Sequence, residues 1–296
     1  TPLQQAQQLA RSGNLPAARA KLGDVLRDHP NDVEAVAMQA RLEAAAGNLP
    51  VAQAAAEQAL KLAADNGTAL LARGIVYEYA GNDDQAYAFY QRAVRADAKL
   101  AMARRLLGNA EMRRAHYAQA VEQYRQLVTL QPGDVQAQSH LVAAQVALGQ
   151  CARALADVGA AQVQNSKDGD LMQIFVRLAS TCPAAKTEER DMALDYAQAL
   201  YNLGGDSGDS SALALALAAH GKFKEAQQFQ AEAIFKAISD GDKAGAESYK
   251  STQAVFVANK VPDRPWPADG PYFKPMLLTA PPAATPPPCA AAAASA

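Results

Sequence analysis

The side chains that could do chemistry are few and scattered. The four histidines, His29, His116, His140 and His220, follow no common spacing, and none belongs to an HExxH pair of the zinc-binding kind. No GxSxG nucleophile turn and no Gly-rich phosphate loop occurs. The run Gly204-Gly205-Asp206-Ser207-Gly208-Asp209 is rich in oxygen ligands but lacks the closing Glu of an EF-hand loop. Its residue types suit a linker made of turns. Asn66-Gly67-Thr68 has the form of a glycosylation acceptor, yet Asn-Gly is also an ordinary turn. No catalytic residue, metal ligand or cofactor site is therefore expected, and the chain reads as a non-enzyme.

What the sequence does carry is a period. Gly13, Gly47, Gly81, Ala115 and Gly149 recur every 34 residues, as do Ala18, Ala52, Ala86, Ala120 and Ala154, and Pro30, Ala64, Ala98 and Pro132. The clearest copy is Ala101–Asp134, two helical runs joined by a short turn and closed by Gln131-Pro132-Gly133-Asp134. Gly at the turn permits positive φ, and Pro marks where the second helix stops. The Leu107-Gly108 pair sits at the expected closest approach of the two helices, with Ala120 facing it and Tyr124 packing toward the next unit. A fixed period of this length signals a solenoid, whose units bury their apolar faces against their neighbours. Half the residues are hydrophobic but only 6% are aromatic, a balance that suits helices packed through small side chains. A net charge of -2 argues against a nucleic-acid-binding surface. No apolar run approaches the roughly 20 residues of a membrane span.

These residues carry a resemblance. With Leu107, Gly108, Ala120, Tyr124 and Pro132, and with Gly74 and Tyr77 one unit earlier, the chain resembles tetratricopeptide-repeat (TPR) proteins of bacterial type. It departs from them at the opening position, where Val36, Leu70, Arg104 and Gln138 stand in place of Trp. The implied fold is all-α, a TPR superhelix of antiparallel helix pairs with about seven repeats. Residues 1–168 hold five regular units. Residues 169–240 hold two less regular ones, with a lengthened turn and the Gly/Asp/Ser linker, and 241–260 hold a capping helix. Ten of the sixteen prolines lie between Pro262 and Pro288, which excludes helix there. Residues 261–279 include Trp266, Tyr272 and Phe273 and should pack on the solenoid as an extended segment, whereas 280–296 should be disordered. The expected seat of Trp266, Tyr272 and Phe273 is the outside of units six and seven, where the segment emerges. The alternative is the concave face.

The repeat also places the cysteines. Cys151 opens the second helix of unit five and Cys182 closes the first helix of unit six, adjacent antiparallel positions within disulfide range. Such a bond implies an oxidising compartment. Cys289 has no evident partner.

The resemblance implies that first helices line the concave groove. By repeat phase the partner-facing residues are Leu71, Ile75 and Tyr79 on one side and Arg105, Asn109, Met112 and Arg113 on the other. Between Arg92 and Arg125, eight Lys/Arg stand against three acids, which suits a protein or peptide ligand of acidic character, although Arg is also a good former of solvated helix. Arg105 and Asn109 are similar to the opening half of a carboxylate clamp used by some family members. The likeness then fails, because His140 stands where the clamp has Asn, and Asp170 and Ile174 where it has Lys and Arg.

The expectation is a protein–protein interaction scaffold, of periplasmic or secreted location with the cytoplasm as alternative, in the assembly of an envelope, pilus, secretion or exopolysaccharide system. The alternatives are a regulatory or targeting module for a separate enzyme, or an enzyme with its site in 169–279. A chain opening at Thr1 fits a processed or trimmed polypeptide, from which a signal peptide leaves no trace. Oligomeric state is left open.

Overall fold

The computed structural model describes residues 1–164, 168–267, 270 and 272–278, and among them holds fifteen helices and no strand. The expected disordered stretch 280–296, Cys289 included, lies outside the described residues. The chain divides into two compact bodies, Thr1–Ala103 together with Leu277 onward, and Arg104–Met276.

In the first body the pairs are α1 (Pro2–Arg11) with α2 (Leu15–Asp28), α3 (Val33–Ala45) with α4 (Leu49–Leu62), and α5 (Gly67–Tyr79) with α6 (Asp83–Ala96). Positive φ at Gly13, Gly47 and Gly81 turns the chain between the partners of each pair. The core is mostly small. Ala37, Ala40, Ala44, Ala52, Ala56, Ala69 and Ala72 pack with Val36 and Val76, so helix axes can approach closely. The first helices share a capping device. Asp32 and Asn66 accept the N–H of Ala35 (3.0 Å) and Ala69 (2.9 Å), satisfying donors that a helix start leaves open.

In the second body, α7 (Ala101–Arg113, in which the division falls) and α8 (Tyr117–Leu130) are followed by α9 (Val135–Ala147), α10 (Cys151–Gln164), α11 (Gly169–Thr181), α12 (Thr187–Leu203), α13 (Ser207–Ala219), α14 (Phe223–Ser239) and α15 (Lys243–Val257). Asp134 and Asp168 repeat the first-helix cap by accepting from Ala137 (3.0 Å) and Leu171 (3.2 Å). One core runs through this body from Val142 to Phe256, and α15 packs on α14 with Phe256 fully buried. Cys151 and Cys182 are joined by a disulfide with Cα atoms 5.7 Å apart, tying α10 to α11.

Three local expectations change. The lengthened turn expected within 169–240 is confined to the stretch between Thr181 and Thr187, because Glu189 accepts the Lys186 N–H (2.7 Å) and starts α12. The linker shrinks to Gly204–Asp206, since Asp206 accepts from the Asp209 N–H (2.8 Å) and opens α13 at Ser207. The third concerns the close approach. A Cβ on Gly108 would stand 2.7 Å from Tyr124 Cε1, and one on Gly74 2.6 Å from Tyr90 Cε1. Each glycine therefore makes room for a tyrosine ring of its own pair.

Candidate functional site

The tyrosines lead to the site. Tyr124 is fully buried over Gly108, and burial pushes its hydroxyl far above the usual range, an effect partly offset by Arg113 and Arg105. That hydroxyl must therefore stay protonated, and it donates to Asn109 Oδ1 at 2.8 Å. The ring lies parallel to His140 of α9, with centroids 5.3 Å apart. His140 is itself buried, and desolvation pulls its pKa down to about 4, with Arg105 lowering it further and the Tyr272 hydrogen bond and Asp134 raising it. It is neutral near pH 7, and its Nδ1–H donates to the Tyr272 carbonyl at 3.3 Å. Arg105 binds Asp134, the carboxylate that caps α9, and also donates to Gln136 Oε1 at 3.2 Å.

The acceptor of His140 belongs to the proline-rich segment. Tyr272 stands edge-on to His140 at 5.5 Å, and Trp266 packs on Tyr272 at 4.6 Å and against the core of the second body. Pro265, Phe273 and Pro275 are buried, and Arg264 lies over the Phe273 ring at 5.5 Å. Tyr272 and Tyr249 also act on Arg177 of α11, whose guanidinium burial pulls below the usual arginine range. The segment thus engages first helices α9 and α11, not the outside of units six and seven as expected. The cause is physical. Its prolines leave carbonyls without helical partners, and the buried His140 N–H needs an acceptor.

The remaining predicted residues fall less neatly. Leu71, Ile75 and Met112 are buried, and Tyr79 packs half-buried against the alanine core of the first body, so none of the four presents an open apolar wall. Burial and then Glu78 push the Tyr79 hydroxyl upward. Asn109, Arg105 and half-buried Arg113 stay with the Tyr124–His140 cluster. Sequence reasoning missed His140 as a working group, although its place in the clamp pattern was visible. Glu78 of α5 receives on its carboxylate the Tyr90 hydroxyl and, at 3.2 Å, the backbone N–H of Leu278. Among the described residues no three His, Cys, Asp or Glu cluster as metal ligands, and no helix is long and apolar enough to cross a membrane.

A stack of paired helices that takes up an extended segment along its first helices defines a helical-repeat scaffold. The tetratricopeptide-repeat profile matches residues 3–52, 37–101 and 105–170, more than half of the chain, which therefore belongs to the tetratricopeptide-repeat family. No curated protein matches it in sequence. Among solved structures, Pseudomonas aeruginosa pilF is similar at TM-score 0.53 and 16% identity, covering 76% of this chain and 98% of its own. PilW, described as a type IV pilus biogenesis factor, is similar at 0.51 and 18%, covering 68% and 91%. A tetratricopeptide repeat protein from Parabacteroides merdae is similar at 0.50 and 14%, covering 84% and 97%. At these identities the likeness is one of fold. Members of the family are protein-interaction scaffolds and generally not enzymes.

Proposed function

We propose that this protein is a non-enzymatic scaffold that holds an extended segment of a partner protein along the first helices of the Arg104–Met276 body, in the assembly of an envelope system. The observation that carries the reading is the hydrogen bond from buried His140 to the Tyr272 carbonyl. A first-helix side chain there already grips extended polypeptide by its backbone, the contact an incoming segment can also offer. Arg105, Asn109 and Arg113 surround that grip and set its polar rim. A location in the periplasm or outside the cell is supported by the Cys151–Cys182 bond, since disulfides persist in oxidising compartments. PilW, a type IV pilus biogenesis factor among the structural neighbours, supports an envelope role by fold alone.

The test is affinity capture from an envelope extract, followed by rebinding of the purified partner. Asn109→Asp and Arg113→Glu should each weaken rebinding at least tenfold, while Arg27→Glu, on the exposed face of α2, leaves it unchanged. Rebinding indifferent to both site changes refutes the site. Location is read separately. The chain denatured directly in an alkylating reagent without reductant should take up one label on its three cysteines, and three labels would remove the argument for an oxidising compartment.

A further inference from the structure

The segment Pro262–Met276 does more than cap the stack, and what it does follows from which of its atoms are held. Among the described residues, the hydrogen bond between it and α9 uses a backbone carbonyl, which every residue possesses. Among its described residues the buried side chains are two prolines and a phenylalanine, with Trp266 and Tyr272 half-buried. Prolines hold a chain extended before it binds, so little order has to be imposed on docking. The segment's charges, Asp263, Arg264, Asp269 and Lys274, cancel. Arg105, the residue best placed to ask for an acidic ligand, is already engaged by Asp134 and Gln136.

Resting on the scaffold reading above, we propose that Pro262–Met276 is a resident stand-in for the partner, which docks by displacing it and so presents an extended, proline-interrupted, near-neutral segment with aromatic side chains. Removal of the tail takes the Tyr272 carbonyl from the His140 N–H, an acceptor that a replacement with the same backbone geometry restores. The acidic ligand expected from the Arg-rich stretch gives way to a neutral one. Tethering also sets a threshold. A segment joined by a short connection acts at an effective concentration of about millimolar, so a free partner binds weakly unless the tail is loosened.

Trp266 is the only tryptophan of the chain, so its emission reports the tail directly. The full chain is titrated with a synthetic peptide of residues 262–276 carrying Trp266→Phe, with a scrambled peptide, and with an Asp/Glu-rich peptide of equal length. The tail peptide should shift Trp266 emission to the red and raise its quenching by acrylamide, at about millimolar concentration for a tethered competitor. In a Tyr272→Ala chain the half-point should fall at least tenfold. Circular dichroism confirms that the variant is folded, and Phe273→Ala, which likewise changes the tail and not the peptide, serves as a second loosened form if it is not. Emission unmoved by the peptide in wild type and loosened chains overturns the inference. So does equal displacement by the scrambled peptide, stronger displacement by the acidic one, or a loosened chain that elutes as a dimer through exchange of its own tails. A partner whose rebinding depends on Asn109 and Arg113 while the tail stays put leaves the scaffold reading standing and removes only this inference.

Discussion

Lowering the pH should loosen the tail through His140 before it unfolds the protein. His140 is a base whose folded pKa, about 4, lies below its ordinary 6.5, chiefly because burial disfavours the imidazolium. Arg105 opposes the added charge, while Asp134 and the Tyr272 carbonyl favour it, and Tyr124 faces it with a protonated hydroxyl. Protonation therefore favours the open or unfolded form. The stabilisation is fully present above pH 6.5 and is lost as pH falls toward 4. At about 1.4 kcal/mol per pH unit this amounts to about 3 kcal/mol at most, of which about 2 kcal/mol is lost by pH 4.5. The assay is urea denaturation of wild type and His140→Gln from pH 7.5 to 4.5 at fixed ionic strength, with Trp266 emission followed in parallel. The amide can still donate to the carbonyl but does not titrate, and contributions of the other histidines and the carboxylates cancel in the difference. Wild type should lose about 2 kcal/mol more than the variant across this range, with Trp266 shifting to the red first. A difference that stays constant from pH 7.5 to 4.5 refutes the reasoning.

Gly108→Ala adds a Cβ 2.7 Å from Tyr124 Cε1. Overpacking of about 1–3 kcal/mol outweighs about 1 kcal/mol of gained helix propensity, so the thermal midpoint should fall. Ala115→Gly should raise stability by about 0.5–1 kcal/mol, because Ala115 holds φ 56 at a turn where Gly13, Gly47, Gly81 and Gly149 stand in the other units; an unchanged urea midpoint counts against it. Reduction of Cys151–Cys182 should cost about 2–4 kcal/mol for a closed loop of this length, read as a lower urea midpoint with reductant that is absent in Cys151→Ser/Cys182→Ser.

The parts of this molecule legible in the sequence are those set by local chemistry. Turn glycines report a backbone angle, alanines at fixed phase report a close approach, and both are independent of what lies elsewhere in the chain. The caps Asp32, Asn66, Asp134 and Asp168 were equally readable, spaced at the repeat, and they fix first-helix starts better than the terminal prolines do. Expectations failed where a side chain had two possible neighbours. The phase that marks Leu71, Ile75 and Met112 as partner-facing says which way a helix face turns and nothing of what covers it; all three are buried. Likewise the composition of 261–278 shows that it must pack. Its seat depends on a hydrogen bond to His140 across 132 positions of chain, which no local pattern encodes.

The cross-link between α10 and α11 bears on how the protein meets mechanical load. Repeats that touch only their neighbours can peel away one after another when the ends are pulled. The bond closes 31 positions of sequence into a ring that tension cannot open, withholding about 100 Å of contour length at roughly 3.3–3.6 Å per residue. A stretched molecule therefore lengthens only from the chain on either side of this ring. On the reading proposed above, the grip on a partner stands next to a stretch whose extension the cross-link limits.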